Sequence, residues 1–201
     1  MPAIFTNPPD EPMPIFDDWM AAAKEQEIND ANAMALATSD GDNLPNARMV
    51  LLKDYDARGF VFYTNQNSQK GAELADNAQA ALCFHWKSLR QQVRVRGLVQ
   101  MVSAAESDAY YASRSRQNRI GAWASQQSEA LDAYASLEAA FAHYDKKYPN
   151  NDIPRPPHWV GYRIAPLAIE FWQDGAHRLH HRLLYRRDTI DAAWQTALLN
   201  P

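Results

Sequence analysis

Between residues 34 and 64, three strand-length runs, Met34–Thr38, Ala47–Lys53 and Phe60–Thr64, are separated by the turns Asp40-Gly41-Asp42-Asn43 and Asp56-Ala57-Arg58-Gly59. Asp, Asn and Gly suit tight reversals. Connections this short join antiparallel neighbours, whereas parallel strands need a crossover of a dozen residues or more. The rest of the chain keeps that character. Ala80–Trp86, Gln91–Val102, Trp159–Ile164, Ala168–Gln173 and Arg178–Arg186 also read as strands, and Val93 and Val95 alternate with Arg94 and Arg96.

Helices are expected from Ile15 to about Ile28, over Gln69–Asn77, from the Ser103-to-Glu106 capping box to about Arg114, and over Ser128–Tyr148. Five prolines in residues 1–14 read as an arm outside the core, leaving 15–201 as a single domain. Pro149–Pro157 reads as a connector. With no regular βαβ alternation, this order implies a mainly β fold, an antiparallel sheet or small barrel with peripheral helices.

Composition narrows the chemistry. A net charge of −4 provides no global field for nucleic acid or an anionic membrane, so any anion site must be built locally. No two of the seven glycines lie closer than twelve positions, which excludes G-x-G-x-x-G, Walker A and G-x-S-x-G motifs. A lone Cys83 excludes an internal disulfide and any zinc site needing two cysteines, and suits a reducing cytoplasm. The N-terminal residues lack signal-peptide character and no run is long and apolar enough to span a bilayer, so a cytoplasmic location with no membrane partner is expected.

On an extended strand, Arg178, His180 and Arg182 share one face while Leu179, His181 and Leu183 take the other. The plain alternative is a solvated edge strand. Arg114 and Arg116 follow Tyr110-Tyr111, a grouping able to grip a planar anion by stacking and bidentate hydrogen bonds. His177, His180 and His181 have no carboxylate motif at ligand spacing, so no metal is expected.

Three stretches go further: Arg48-Met-Val-Leu-Leu-Lys53; Phe62-Tyr63-Thr64-Asn65 with Ser68-Gln69-Lys70; and Ile169-Glu170-Phe171-Trp172-Gln173 leading to Arg178-Leu179-His180-His181-Arg182. Arg90 to Val93, Tyr110 to Arg114, and Ile120 to Ser128 fall between them in order. This ordered set resembles the pyridoxine (pyridoxamine) 5′-phosphate oxidase family from about Ile15 onward. The resemblance implies an FMN-binding split β-barrel and a homodimer whose sites use both chains. It also implies oxidation of pyridoxine 5′-phosphate and pyridoxamine 5′-phosphate by O2 to pyridoxal 5′-phosphate.

The resemblance assigns flavin contacts to Arg48, Met49, Val50, Leu51, Leu52, Lys53, Tyr63, Thr64, Gln69, Lys70 and Gln92 on one subunit. Gln127, Ser128, Trp172 and Arg182 complete that site. Substrate falls to Lys53, Tyr110, Arg114, Asn118, Arg178, Leu179 and His180, with Arg178 and His180 over the reacting ring. Three positions depart from the family pattern: Gln69 replaces a basic residue, Asn118 a serine, and His181 an Asp or Asn. They motivate a rival reading, a flavin- or pyridoxal-phosphate-binding barrel without turnover. Trp123 reads as dimer-interface core and Tyr111 as helix packing.

Overall fold

A computed structural model describes residues 3–201. Among them, one sheet is built from β1 (Ala33–Ser39), β2 (Pro45–Leu51), β3 (Asp54–Asp56), β4 (Gly59–Asn65), β5 (Gln79–Trp86), β6 (Gln91–Met101), β7 (Trp159–Gln173), β8 (His181–Arg186) and β9 (Gln195–Leu198). The order is β2-β1-β5-β6-β7-β4-β3, with β8 on β7 and β9 on β8, all antiparallel. Around it lie α1 (Met13–Gln26), α2 (Gln69–Asp76), α3 (Ala104–Ser113), α4 (Arg116–Ala124) and α5 (Tyr134–Lys147).

The curl of the sheet comes from β7. One edge pairs with β6 along its length, while the other serves β4 through residues 159–164 and β8 through residues 168–173. The change of partner falls at Pro166, which has no N–H for a ladder bond. Opposite it β6 carries a bulge at Arg96/Gly97. A Cβ at Gly97 would come within 2.0 Å of the Ala165 carbonyl oxygen, so only glycine permits this approach. The result is the antiparallel split barrel with peripheral helices that the sequence led us to expect.

The core fills the inside of the curl. Phe16 of α1 meets Phe60 and Phe84 edge-on at 4.9 and 5.3 Å, geometry that suits the ring quadrupoles. Val93, Val95, Ile169, Phe171, Leu183 and Tyr185 are also buried. Their strand neighbours Gln92, Arg94, Glu170, Trp172, Arg182 and Leu184 therefore lie on the opposite face.

Several expectations are corrected. The N-terminal arm is not outside the core: Phe5 is 3% exposed and belongs to it, and the Tyr185 hydroxyl donates to the Pro9 carbonyl at 2.8 Å. Residues 1 and 2 of that arm lie outside the described residues. Helix α1 starts at Met13, because Pro14 suits a first turn, where its missing N–H costs nothing. The three strands of residues 34–64 do not form one meander, since β4 sits beyond β7 rather than beside β2.

Further along, the expected strands 159–164 and 168–173 are one strand, and α5 starts only at Tyr134 because Ser128 has a φ of 76°. Helix α4 and strands β3 and β9 escaped the periodicity. The expected strand 178–186 begins at His181, preceded by a 3-10 turn at Ala176–Arg178 in which His177 and Arg178 have φ of 58° and 66°. The shared face proposed for Arg178, His180 and Arg182 therefore does not form.

Candidate functional site

One groove collects many of the expected flavin contacts. Arg48, Met49, Val50, Leu51, Lys53, Tyr63, Thr64, Lys70 and Gln127 line a hollow of about 450 Å³. Strand β2 is a sheet edge, which leaves these side chains uncovered by a neighbouring strand. Tyr63, Thr64 and Gln127 also line an adjoining hollow of about 530 Å³, whose wall includes Arg114, Asn118, Phe141 and Trp159. Leu52 does not join them. Its side chain is 5% exposed and packs in the core.

Each hollow holds a cation withdrawn from solvent, Lys70 buried and Arg114 half-buried. Lys70, on the first turn of α2, is 7% exposed and among the described residues reaches only two hydroxyls, Ser68 at 3.3 Å and Thr64 at 3.4 Å. Burial, with the nearby Arg48 charge, pulls its pKa below the usual lysine value despite Glu73. Arg114, at the C-terminal end of α3, lies over the Trp159 ring at 4.8 Å. Its Nη1 is buried with no hydrogen-bond partner among the described residues, and burial lowers its pKa as well. Neither cation forms an ion pair with a carboxylate among the described residues.

The rest of the groove is organised around these cations. Thr64 Oγ1 donates to Gln127 Oε1 at 3.0 Å, tying the loop after α4 to β4. Tyr110 stacks on Tyr63 at 4.2 Å, and Tyr63 on Trp159 at 5.1 Å, forming a flat aromatic wall. Arg48 donates to Glu73 at 2.8 Å and also bonds Thr38. Asn46 donates to the other Glu73 oxygen at 2.8 Å. Burial alone would raise the pKa of Glu73, but the hydrogen bonds from Thr38, Asn46 and Arg48 outweigh it and hold the carboxyl below its usual value.

A second group lies elsewhere. Gln92, Trp172 and Arg182 are register partners across β6, β7 and β8, so Gln92 belongs with Trp172 rather than with the Arg48 set. Arg182 Nε donates to Glu170 at 2.8 Å, and Arg94 reaches the same carboxylate at 3.2 Å. The His180 ring packs on Trp172 at 4.7 Å. Arg178 and Leu179 are exposed on the preceding turn. His181 turns away, with its ring 5.4 Å from Phe5 of the N-terminal arm.

The two groups occupy opposite ends of β7. Trp159 sits with Arg114 at one end and Trp172 with His180 at the other. Gln69 is exposed, and Ser128 lines a further hollow with Leu131 and Leu137 that meets the other two at Gln127. Trp123 packs on Tyr144, Tyr148 and His158 within the chain. Tyr111 is buried, edge-on to Trp159, and its hydroxyl donates to the Arg119 carbonyl.

Sequence reasoning missed Glu73, Glu170, Asp174 and Trp159. Glu73 had a signal: it stands three residues after Lys70, on the same helical face.

A split barrel with a ring-walled groove and, in each hollow, a cation without a carboxylate partner among the described residues defines a class of protein able to hold small planar anions. A family model described as pyridoxamine 5′-phosphate oxidase matches residues 20–148, and another, the pyridoxine 5′-phosphate oxidase C-terminal dimerisation region, matches 159–201. A pyridoxine/pyridoxamine 5′-phosphate oxidase of Maricaulis maris is 58% identical, over 96% of this chain and 86% of the relative. PhzG of Burkholderia lata, crystallised with tetrahydrophenazine-1-carboxylic acid, is 32% identical with a TM-score of 0.93, over 100% of this chain and 98% of its own. An FMN-binding protein of Nostoc punctiforme shares the fold at TM-score 0.76 and 17% identity, over 95% of this chain and 98% of its own. The chain belongs to the pyridoxamine 5′-phosphate oxidase family.

Proposed function

We propose that this protein oxidises pyridoxine 5′-phosphate and pyridoxamine 5′-phosphate to pyridoxal 5′-phosphate with O2 as acceptor, releasing H2O2 and, from the amine, ammonia. The supporting observation is a pair of cations without carboxylate partners among the described residues, the buried Lys70 and the half-buried Arg114 with its Nη1 out of solvent, in adjoining hollows that share Tyr63, Thr64 and Gln127. A desolvated cation costs free energy unless an anion meets it. Two such cations side by side fit two phosphates, one of a cofactor and one of a substrate.

The cofactor is FMN. Its phosphate fits Lys70 with Arg48, and Gln127 and Thr64 offer hydrogen bonds to a flavin ring. When bound, FMN supplies the hydride acceptor and the reaction with O2. The chain supplies position. Arg114 and Asn118, with Lys53 from the adjoining hollow, hold the substrate phosphate, and Tyr110 stacks on Tyr63 of the shared wall. Arg178 and His180 orient the substrate ring, while Gln92, Trp172 and Arg182 complete the flavin site. Because these last groups lie at the other end of β7, the site is completed by the partner in a homodimer, with the 159–201 dimerisation region contributing Trp172, Arg178, His180 and Arg182 and the neighbouring β6 contributing Gln92.

Arg178→Ala tests the assignment. The exposed side chain is expected to be dispensable for folding and flavin retention but needed for pyridoxal 5′-phosphate formation. Equal loss of flavin and turnover would contradict it. A second reading, an oxidase acting on a polycyclic carboxylic acid, has the PhzG likeness in its favour. It predicts turnover of such an acid and none of the phosphorylated pyridines.

A further inference from the structure

The loop that follows β7 carries an acid that neither the flavin nor the substrate assignment uses. Asp174 Oδ1 lies 3.1 Å from His180 Nδ1, and both side chains are largely buried, at 16% and 17% exposure. Asp174 is itself fixed from the β5–β6 turn. Its backbone N–H donates to the Arg90 carbonyl at 3.0 Å, and its other carboxylate oxygen pairs with the Arg90 guanidinium. Arg90 holds the turn at a φ of 54°, so the acid is anchored through backbone and side chain together.

We propose that Asp174 is a positioning residue for His180. It holds the proton on Nδ1 and leaves the Nε2 lone pair free to accept a hydrogen bond from the substrate. This role rests on the oxidase reading above, whereas the tautomer stands independently of it.

Nδ1 has two neighbours with opposite demands. The Gly175 N–H, at 3.2 Å, can donate only to an unprotonated Nδ1, whereas the Asp174 carboxylate can accept only from a protonated one. The Gly175 contact is the neutral one and the Asp174 contact, an ion-pair approach at 3.1 Å, is charge-assisted and roughly twice as strong once the ring proton points to it, so we assign the proton to the carboxylate side. Gly175 allows the loop to close this tightly, because a Cβ there would meet the Leu179 carbonyl oxygen at 2.0 Å. Nε2 has no hydrogen-bond partner among the described residues, and the ring rotation is limited by Trp172 at 4.7 Å. The other charged or titratable groups near this ring are Arg178 on the preceding turn and His181 and Arg182 on β8. His181 faces Phe5 and Arg182 is committed to Glu170, which leaves Asp174 as the acid in contact.

Nitrogen NMR of histidine-labelled, FMN-loaded protein reads the tautomer, with a His180→Gln sample assigning the signal. The expected wild-type signature is a protonated Nδ1 with a bare Nε2, and Asp174→Ala is expected to transfer the proton to Nε2 as Gly175 becomes the sole Nδ1 partner. A wild-type signal already protonated at Nε2, or one unchanged in Asp174→Ala, would overturn the proposal. Kinetically, Asp174→Ala is expected to lower kcat at least about tenfold with KM and flavin affinity within about twofold. The isosteric Asp174→Asn, whose amide oxygen still accepts from Nδ1, is expected to recover part of that loss. Unchanged kcat in both variants would overturn the positioning role. The tautomer readout needs no turnover, so an inactive wild type would count against the oxidase reading and leave this test decisive.

Discussion

Glu73 accepts a hydrogen bond from Arg48 at 2.8 Å while only 5% of its own surface is exposed. The acid spans α2 and β2 and fixes one of the two cations assigned to the flavin phosphate. Glu73→Gln keeps the shape and removes the charge, and is expected to destabilise the protein by about 1–3 kcal/mol at neutral pH. The sign follows from the pKa. Because the folded carboxyl titrates below its usual value, its stabilisation is present above pH 4.5 and is lost as pH falls through the folded value. Urea melts of the two proteins are therefore expected to differ at pH 7 and to converge in acid.

Lys70→Met is expected to reduce FMN affinity roughly tenfold or more, while leaving the flavin-free protein at least as stable at pH 7. Burial depresses the Lys70 pKa, so the folded state gives up that proton before the unfolded state does. Wild-type stability relative to Lys70→Met should rise as pH climbs toward 10.5. Flavin titration and denaturation at two pH values check both statements.

Arg114→Ala removes the cation over Trp159 and is expected to raise KM for a phosphorylated substrate by about thirtyfold, equivalent to about 2 kcal/mol. Flavin affinity should stay within about twofold, since Arg114 lines the adjoining hollow and not the flavin hollow. Steady-state kinetics with parallel flavin titration separates the two effects.

Phe5→Ala is expected to cost about 3 kcal/mol, the usual order for a buried phenylalanine. A freely solvated arm would show no change in the denaturation midpoint.

Local order was well represented in the sequence, and long-range pairing was not. The turns at 40–43 and 56–59 and the Ser103–Glu106 capping box were readable because their chemistry is local. The position of β4 beyond β7 was not, since period-two alternation specifies a face and not a neighbour. Arg178 was misplaced for a related reason: alternation continued through a segment whose positive φ values break the strand. The arm misled by composition, as prolines prevent helix and ladder bonds but do not prevent Phe5 from reaching the core. Among the expected site residues, Arg48, Met49, Val50 and Leu51 of β2 and Tyr63 and Thr64 of β4 line one hollow. Glu73 and Asp174 became visible only when the fold placed them against Arg48 and His180.

The most direct test of the central claim is the visible spectrum of the FMN-loaded protein under anaerobic conditions, before and after adding pyridoxine 5′-phosphate, followed by readmission of air. The account predicts bleaching of the flavin band on addition, then recovery in air with pyridoxal 5′-phosphate formed. A flavin band that stays oxidised in the presence of substrate would contradict it.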